Sequence, residues 1–284
     1  MKDRSSQERD GKLASTKGHT RDWIRRTHDP VGLERVEAFF QGHGYAPHRH
    51  DTYAIGVTLA GVQSFKFRNA RRYSLPGRVM VIHPDELHDG EAETSDGFLY
   101  RIAYIDPALL QAVLGGAGLP FFKHGITEDA RLHRAVHALL SDIDSHCDLL
   151  ERDDLLVDVA VGLQNAAEVQ RSGYRGNFRT AQIAREYMND DFGRAITLDD
   201  LAAVTGRDRW SLSRDFRHFF GTSPYRYLTM RRLDLARRLM LDGNPLSACA
   251  AMAGFADQSH MTRQFAKTYG LPPARWIKIV RNAA

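Results

Sequence analysis

The sequence predicts a two-domain α+β protein. An N-terminal antiparallel β-barrel followed by amphipathic helices leads into a C-terminal all-α domain, where a pair of helices occurs twice about one long helix. Three observations predict this. Residues 33–105 run as short apolar alternations broken by turn residues, residues 132–163 change to helical spacing, and residues 178–280 stay helical while repeating themselves. A length of 284 residues also suits two domains of roughly 100–200 residues each.

Composition narrows the class. With 43% hydrophobic and 26% charged residues the chain reads as globular, and no stretch approaches the ~18 consecutive apolar residues that a membrane span needs. Residues 1–22 are polar, lack the apolar core of a secretory signal, and read as a disordered tail. The two cysteines, Cys147 and Cys249, sit in apolar helical patterns as expected of buried free thiols, which suits a reducing cytoplasm. Charge is divided unevenly. Residues 175–284 hold 18 Lys+Arg against 10 Asp+Glu, and residues 1–174 hold 21 against 25. Of the 18 basic side chains 16 are arginine, whose planar fork suits phosphates and guanine edges. A basic half of this kind points to nucleic acid, although a solvated helical surface has the same composition.

Along the chain, LERVEAFF, TYAIGVTLAG, VQSFKFR, GRVMVIH and GFLYRIAYI read as strands, punctuated by Gly42, Gly44, Gly61, Asn69, Pro76, Gly77, Pro84 and Gly97. After the GGAGLP turn, Leu132, Val136, Leu139, Leu140 and Ile143 and then Leu155, Leu156, Val159 and Leu163 mark two amphipathic helices. Their apolar stripes either cap the barrel or face a second chain. Residues 23–170 are thus expected to form one domain of barrel and helices, residues 171–177 a glycine-containing linker, and residues 178–284 the helical domain. Within the last, helices are expected over 179–191, 198–204, 209–219, 224–241, 246–252, 258–268 and 273–280, with stops at glycines.

The helical domain repeats itself. Leu198, Ala202 and Gly206 recur 48 positions later as Leu246, Ala250 and Gly254. One extra residue in the second copy then shifts the offset to 49, so that Leu212, Arg214, Phe216, Gly221 and Pro224 recur as Met261, Arg263, Phe265, Gly270 and Pro273. Each copy is a short alanine-faced helix, a turn opening on glycine, and a second helix ending at an aromatic and glycine: a helix-turn-helix. In the second helix of each copy Leu212, Phe216 and Phe219, or Met261, Phe265 and Tyr269, fall on the buried face. Trp210, Ser211 and Arg214, or Gln258, Ser259 and Arg263, fall on the other. Arginine bonds guanine bidentately, glutamine does so with adenine, and tryptophan packs on sugar or a thymine methyl, so these are base-reading residue types. The intervening helix of about 18 residues spans roughly 27 Å, which sets the two reading helices about one DNA turn apart. Its Arg226, Arg231, Arg232, Arg237 and Arg238 divide between phosphate contacts and solvation.

Residues 196–277, including RWSLSRDFRHFFGTSPYRYL and ACAAMAGFADQSHMTRQFAKTYGLPPARW, resemble the DNA-binding domain of the AraC/XylS family of transcription regulators. The resemblance implies two helix-turn-helix units that grip adjacent major grooves of promoter DNA and activate or repress nearby promoters. It implies base contacts at Trp210, Arg214, Gln258, Ser259 and Arg263, to which the exposed-face reading adds Ser211. RNA polymerase is a further partner if the chain activates.

In the N-terminal part, PHRHD sets His48 and His50 two residues apart, on one face of a strand, and His88 ends the turn HPDELHD. With Gly61 and Pro76-Gly77 this resembles the cupin barrels that sense ligands in many AraC-type regulators. The resemblance implies an effector site at His48, His50 and His88. Metal-binding cupins add a glutamate, and here its expected positions carry Ala54 and Ile55. Three neutral imidazoles still suit a zinc-class divalent metal, with Asp51 or a ligand completing the shell, and His43, His83 and Glu86 lie near in sequence. The expectation is therefore a cytoplasmic, homodimeric regulator, not an enzyme, modulated by a small molecule. The alternatives are a metal-dependent cupin enzyme fused to a DNA-binding module, which the missing glutamate opposes, and an architectural DNA-bending protein, which has no use for a barrel.

Overall fold

The computed structural model describes residues 21–28, 32–145, 147–168 and 174–281. Most of the expected tail and part of the linker lie outside them. Ten strands form two sheets of antiparallel neighbours. In chain order they are β1 (Trp23–His28), β2 (Leu33–Phe40), β3 (His43–His48), β4 (Tyr53–Gly61), β5 (Gln63–Phe67), β6 (Ala70–Ser74), β7 (Val79–Ile82), β8 (His88–Ala92), β9 (Phe98–Ile105) and β10 (Ile126–Thr127). The larger sheet runs β1-β2-β9-β4-β7-β10 and the smaller β3-β8-β5-β6.

Alternate residues of the larger sheet serve two cores, because side chains one apart on a strand point to opposite faces. Phe40, Ala54, Met80, Ile82, Phe98 and Ile102 pack inward with Phe65 and Phe67 of the smaller sheet. Tyr53, Ile55, Val57, Val79, Val81 and Ala103 pack outward under three helices. Those helices are α1 (Pro107–Leu114), α2 (Ala130–Leu139) and α3 (Leu149–Ala166). Burial on both faces is why these strands read as near-continuous apolar runs. Each helix starts at an aspartate cap, Asp106, Asp129 or Asp148, whose carboxylate accepts from a first-turn N–H.

Several elements depart from the expectation. β1, β3, β6, β8, β10 and α1 were not foreseen. β1 holds Arg25 and Arg26, and its charges are accommodated by Glu37 and Glu34 of β2. β3 contains Gly44 and Pro47, turn residues by composition that an edge strand tolerates. Cys147 is also a correction: it lies in the loop before α3 and is half-buried, whereas Cys249 is buried in a helix as expected.

The C-terminal domain comprises α4 (Phe178–Asp190), α5 (Leu198–Thr205), α6 (Arg209–Phe220), α7 (Pro224–Leu241), α8 (Leu246–Met252), α9 (Gln258–Tyr269) and α10 (Pro273–Arg281). The sequence bounds agree within a residue at almost every end. Local chemistry sets those ends: Thr197 and Asp200 form a reciprocal capping box at α5, and Asp208 and Asp257 cap α6 and α9. Leu212, Phe216, Phe219 and Phe220 centre one helix-turn-helix on α4. Met261, Phe265 and Trp276 centre the other, whose core runs on into the barrel interior.

Candidate functional site

The two helix-turn-helix units are α5–α6 and α8–α9. Asp208 and Asp257, 49 residues apart like the rest of this part of the repeat, start the second helix of each by accepting backbone N–H bonds. Gly221 and Gly270 end them in the left-handed region, at φ +73° and +67°. With the apolar face of each helix buried, Trp210, Arg214, Gln258, Ser259 and Arg263 are exposed and Ser211 is half-buried. Trp210 is 78% exposed, an unusual state for the largest apolar side chain. Arg214 donates to Ser211 Oγ at 3.3 Å and lies over the Tyr174 ring, which holds its guanidinium at the surface. His260, on the rim of α9, packs edge-on against Phe255.

The three histidines meet. Each is buried, and ligand nitrogens of His48, His50 and His88 lie within 4.8 Å of one another. All three Nδ1 atoms bond backbone carbonyls: His48 to Ala46 at 2.9 Å, His50 to Thr52 at 2.9 Å and His88 to Glu86 at 3.0 Å. A backbone carbonyl can only accept, so each Nδ1 carries the proton and each Nε2 keeps its lone pair. This is the outer-shell pattern of metal-bound imidazole. His50 Nε2 is buried with no hydrogen-bond partner. Burial first, then the neighbouring rings, hold the His48 pKa well below the usual imidazole range and His50 at about 3, while burial holds His88 at about 4. At neutral pH all three are the uncharged form that ligates metal. The donor set therefore fits a zinc-class ion with one position left over.

Other histidines and acids of the neighbourhood stay apart. His43 pairs with Glu91 at the surface, Glu86 with Arg68, and His83 Nε2 accepts from Phe122 N–H. Asp51 does not complete the cluster, as the sequence reading allowed; it pairs with Arg231 of α7 at 3.0 Å, and burial still pushes its carboxyl up to about 7. Ala54 and Ile55, at the expected glutamate positions, are fully buried. Tyr104, opposite Ala54 in the β4–β9 register, meets His50 edge-on at 5.2 Å.

Beside His48 and His50 a cavity of about 330 Å³ opens between the barrel mouth and α7. Its wall includes Tyr45, Tyr104, Tyr269 and Trp276 as well as Arg26, Arg231 and Arg237. The arginines of α7 are the clearest correction to the sequence reading. Arg226 pairs with Asp85 at 2.7 Å, Arg231 with Asp51, and Arg237 with Glu34 at 2.7 Å, all acids of the barrel domain. Arg232 donates to the carbonyls of Phe192 and Arg194, and Arg238 alone of the five is exposed. Arg185 of α4 adds a pair with Asp106 at 3.1 Å. These contacts, and the cavity they border, were missed in the sequence. The signal was the acidic N-terminal and basic C-terminal halves, which complement each other as well as they suit DNA.

Comparison with known proteins agrees with this architecture. Residues 30–158 match the family model of an AraC-like ligand binding domain and residues 201–279 that of a helix-turn-helix domain. Over 236 residues the chain is 26% identical to the uncharacterized HTH-type transcriptional regulator YbfI of Bacillus subtilis, covering 80% of this chain and 86% of that one. It is 23% identical over 269 residues to the HTH-type transcriptional activator RhaS of Yersinia pestis, covering 90% and 96%. A crystal structure of unsaturated fatty acid bound wild-type ToxT from Vibrio cholerae shares the fold at a TM-score of 0.63 and 12% identity, covering 91% of this chain and 99% of that one. A ligand-binding barrel and a duplicated helix-turn-helix, on one chain and in this order, place the protein in the AraC/XylS family of DNA-binding transcription regulators.

Proposed function

We propose that this regulator reads promoter DNA through Trp210, Ser211 and Arg214 of α6 and Gln258, Ser259 and Arg263 of α9. The observation that carries the reading is the agreement of the two copies: at the matching positions Arg214 and Arg263 each copy presents an exposed arginine while its apolar face is buried. Selection of binding duplexes from a random pool, followed by titration at fixed salt, tests it. Arg214→Ala and Arg263→Ala each cost about 1–3 kcal/mol on the selected site and relax the sequence preference at one base pair. Unchanged affinity and preference in both variants would refute the assignment.

The effector of this reading is a small acid with an apolar body, seated in the cavity at the barrel mouth and adjoining a divalent metal on His48, His50 and His88. Burial, then the charge of Arg237, hold the Arg26 guanidinium down at about 10 although Glu34 pairs with both arginines, so a further anion entering there would offset the remaining positive charge. The aromatic wall suits an apolar body, and ToxT, of the same fold, has an unsaturated fatty acid bound. Mono-unsaturated fatty acids added to the full chain raise its melting temperature and alter its DNA affinity; no response in either measurement sinks this effector class. The domains divide as 23–170 and 178–284. The chain works in the cytoplasm as a homodimer, and meets RNA polymerase if it activates. No described helix is long and apolar enough to cross a membrane.

A further inference from the structure

We propose that a divalent metal at His48, His50 and His88 sets the posture of both reading helices, through two hydrogen-bonded arms that run from the histidine loops to Gly270 and Gly221. The inference rests on the metal reading above and adds what the metal does.

The first arm starts at His48. Its Nδ1–H donates to Ala46 O at 2.9 Å, Ala46 N–H donates to Gly270 O at 3.2 Å, and Arg49 N–H donates to Lys267 O at 3.1 Å. Gly270 is the cap of α9, so the last turn of a reading helix hangs on the strand that carries a ligand histidine. The fit is close: a Cβ on Gly270 would stand 2.7 Å from Ala46 O and 2.9 Å from His48 Nδ1.

The second arm starts at His50, whose carbonyl accepts from Asp85 N–H at 2.7 Å. Asp85 sits in the left-handed region at φ +63° and pairs through its carboxylate with Arg226 of α7. The preceding residue, Pro84, abuts Gly221, where a Cβ would come within 2.6 Å of the proline ring. Gly221 caps α6, and it is the same position of the repeat as Gly270. Both copies thus touch the histidine loops at the equivalent glycine. This is not a general property of such caps: Gly206, at φ +64°, has nothing within 4 Å of where a Cβ would be.

Bonds of about 2.0–2.1 Å to one ion would draw the three Nε2 atoms to about 3.3 Å apart in a tetrahedral set. The ligand atoms of the cluster lie within 4.8 Å of one another, so an ion held by all three would fix their spacing. Fixing that spacing would hold His48 and the Ala46 peptide in one posture, and the packed helix with them as a rigid body.

Linkage makes the idea testable with zinc alone. Whatever factor the metal applies to DNA affinity, DNA applies to metal affinity. Zinc stoichiometry and zinc affinity, by competition with a chromophoric chelator, are measured on the full chain with and without a duplex selected from the random pool. The parent is expected to bind one zinc per chain, with an affinity that changes at least about fivefold when the duplex is present. Gly270→Ala is expected to keep its zinc and lose the fivefold linkage, whereas Gly206→Ala, with the same backbone strain and no barrel contact, keeps both. If Gly270→Ala does not fold, Asp85→Gly carries the test: it suits the positive φ, removes the carboxylate's ties to Arg226 and to Arg49 while keeping the N–H bond to His50 O, and is expected to lower the linkage about twofold or more. Linkage undiminished in Gly270→Ala and Asp85→Gly overturns the proposal, and so does equal loss in Gly206→Ala. Stoichiometric zinc without linkage in the parent refutes the arms alone; absence of zinc from the parent refutes the metal reading itself.

Discussion

A single nitrogen decides most at the residue scale. His48, His50 and His88 have spent their Nδ1 protons on carbonyls within two residues of themselves, so three lone pairs are left facing one another in a buried place. His50 Nε2 is buried with no protein group bonded to it, and a buried acceptor of that kind gains from any partner it finds. An ion that binds the folded cluster and not the unfolded chain stabilises by mass action. Zinc in hundredfold excess over its dissociation constant is therefore expected to stabilise the parent by about 2.7 kcal/mol. The His48/His50/His88→Ala triple variant should show no zinc-dependent shift in calorimetry, and an equal shift there would assign the zinc elsewhere. The pairing of His48 with His50 was legible in the sequence from their spacing. The exclusion of Asp51 was not, since its partner Arg231 lies 180 residues away.

α7 shows at the element scale how one helix can look like a DNA contact and be something else. Its arginines are too frequent for a buried helix by composition alone, and a basic helix between two helix-turn-helix units invites phosphates. The structure turns Arg226, Arg231 and Arg237 toward Asp85, Asp51 and Glu34 instead. Removing Arg231 takes from Asp51, 3% exposed, the cation that offsets its burial, so the carboxyl is left protonated and without that partner, at a cost of about 1–3 kcal/mol. Arg231→Ala is thus expected to lower the midpoint of urea unfolding while leaving the slope of log affinity against log salt unchanged. A slope reduced by about 1 would mean that Arg231 neutralises a phosphate after all. The helix bounds themselves were legible because caps and glycines are local. β1 and β3 were not, because their charged and turn-forming residues are stabilised by partners distant in sequence.

On the scale of the whole molecule, the two domains meet along a charged seam whose acids belong to one and whose arginines belong to the other. A fragment from Arg175 onward loses that seam but keeps both reading helices. It should bind the selected duplex without any response to zinc, and a folded fragment that fails to bind would show that the barrel contributes to the DNA surface. α3 leaves an apolar surface open on the barrel domain. On α3, Leu150 is 74% and Val157 44% exposed, seven residues apart and hence on one face of the helix. Of the homodimer proposed above, Leu150→Asp with Val157→Asp is expected to leave only monomer in light scattering without lowering the melting temperature of that monomer. A variant that stays dimeric would place the interface elsewhere.

The sequence by itself determined the number of domains, the sheet-then-helix order, nearly every helix boundary of residues 178–281 and which face of each reading helix is exposed. These follow from periodicity, caps and an internal repeat, all of which act within a few residues or at a constant offset. Only the tertiary structure decided that the histidines share one buried point, that Gly221 and Gly270 touch their loops, and that the basic half spends several arginines on its own acidic half. Such contacts join residues far apart in the chain, and an arginine is the same residue whether a phosphate or an aspartate faces it.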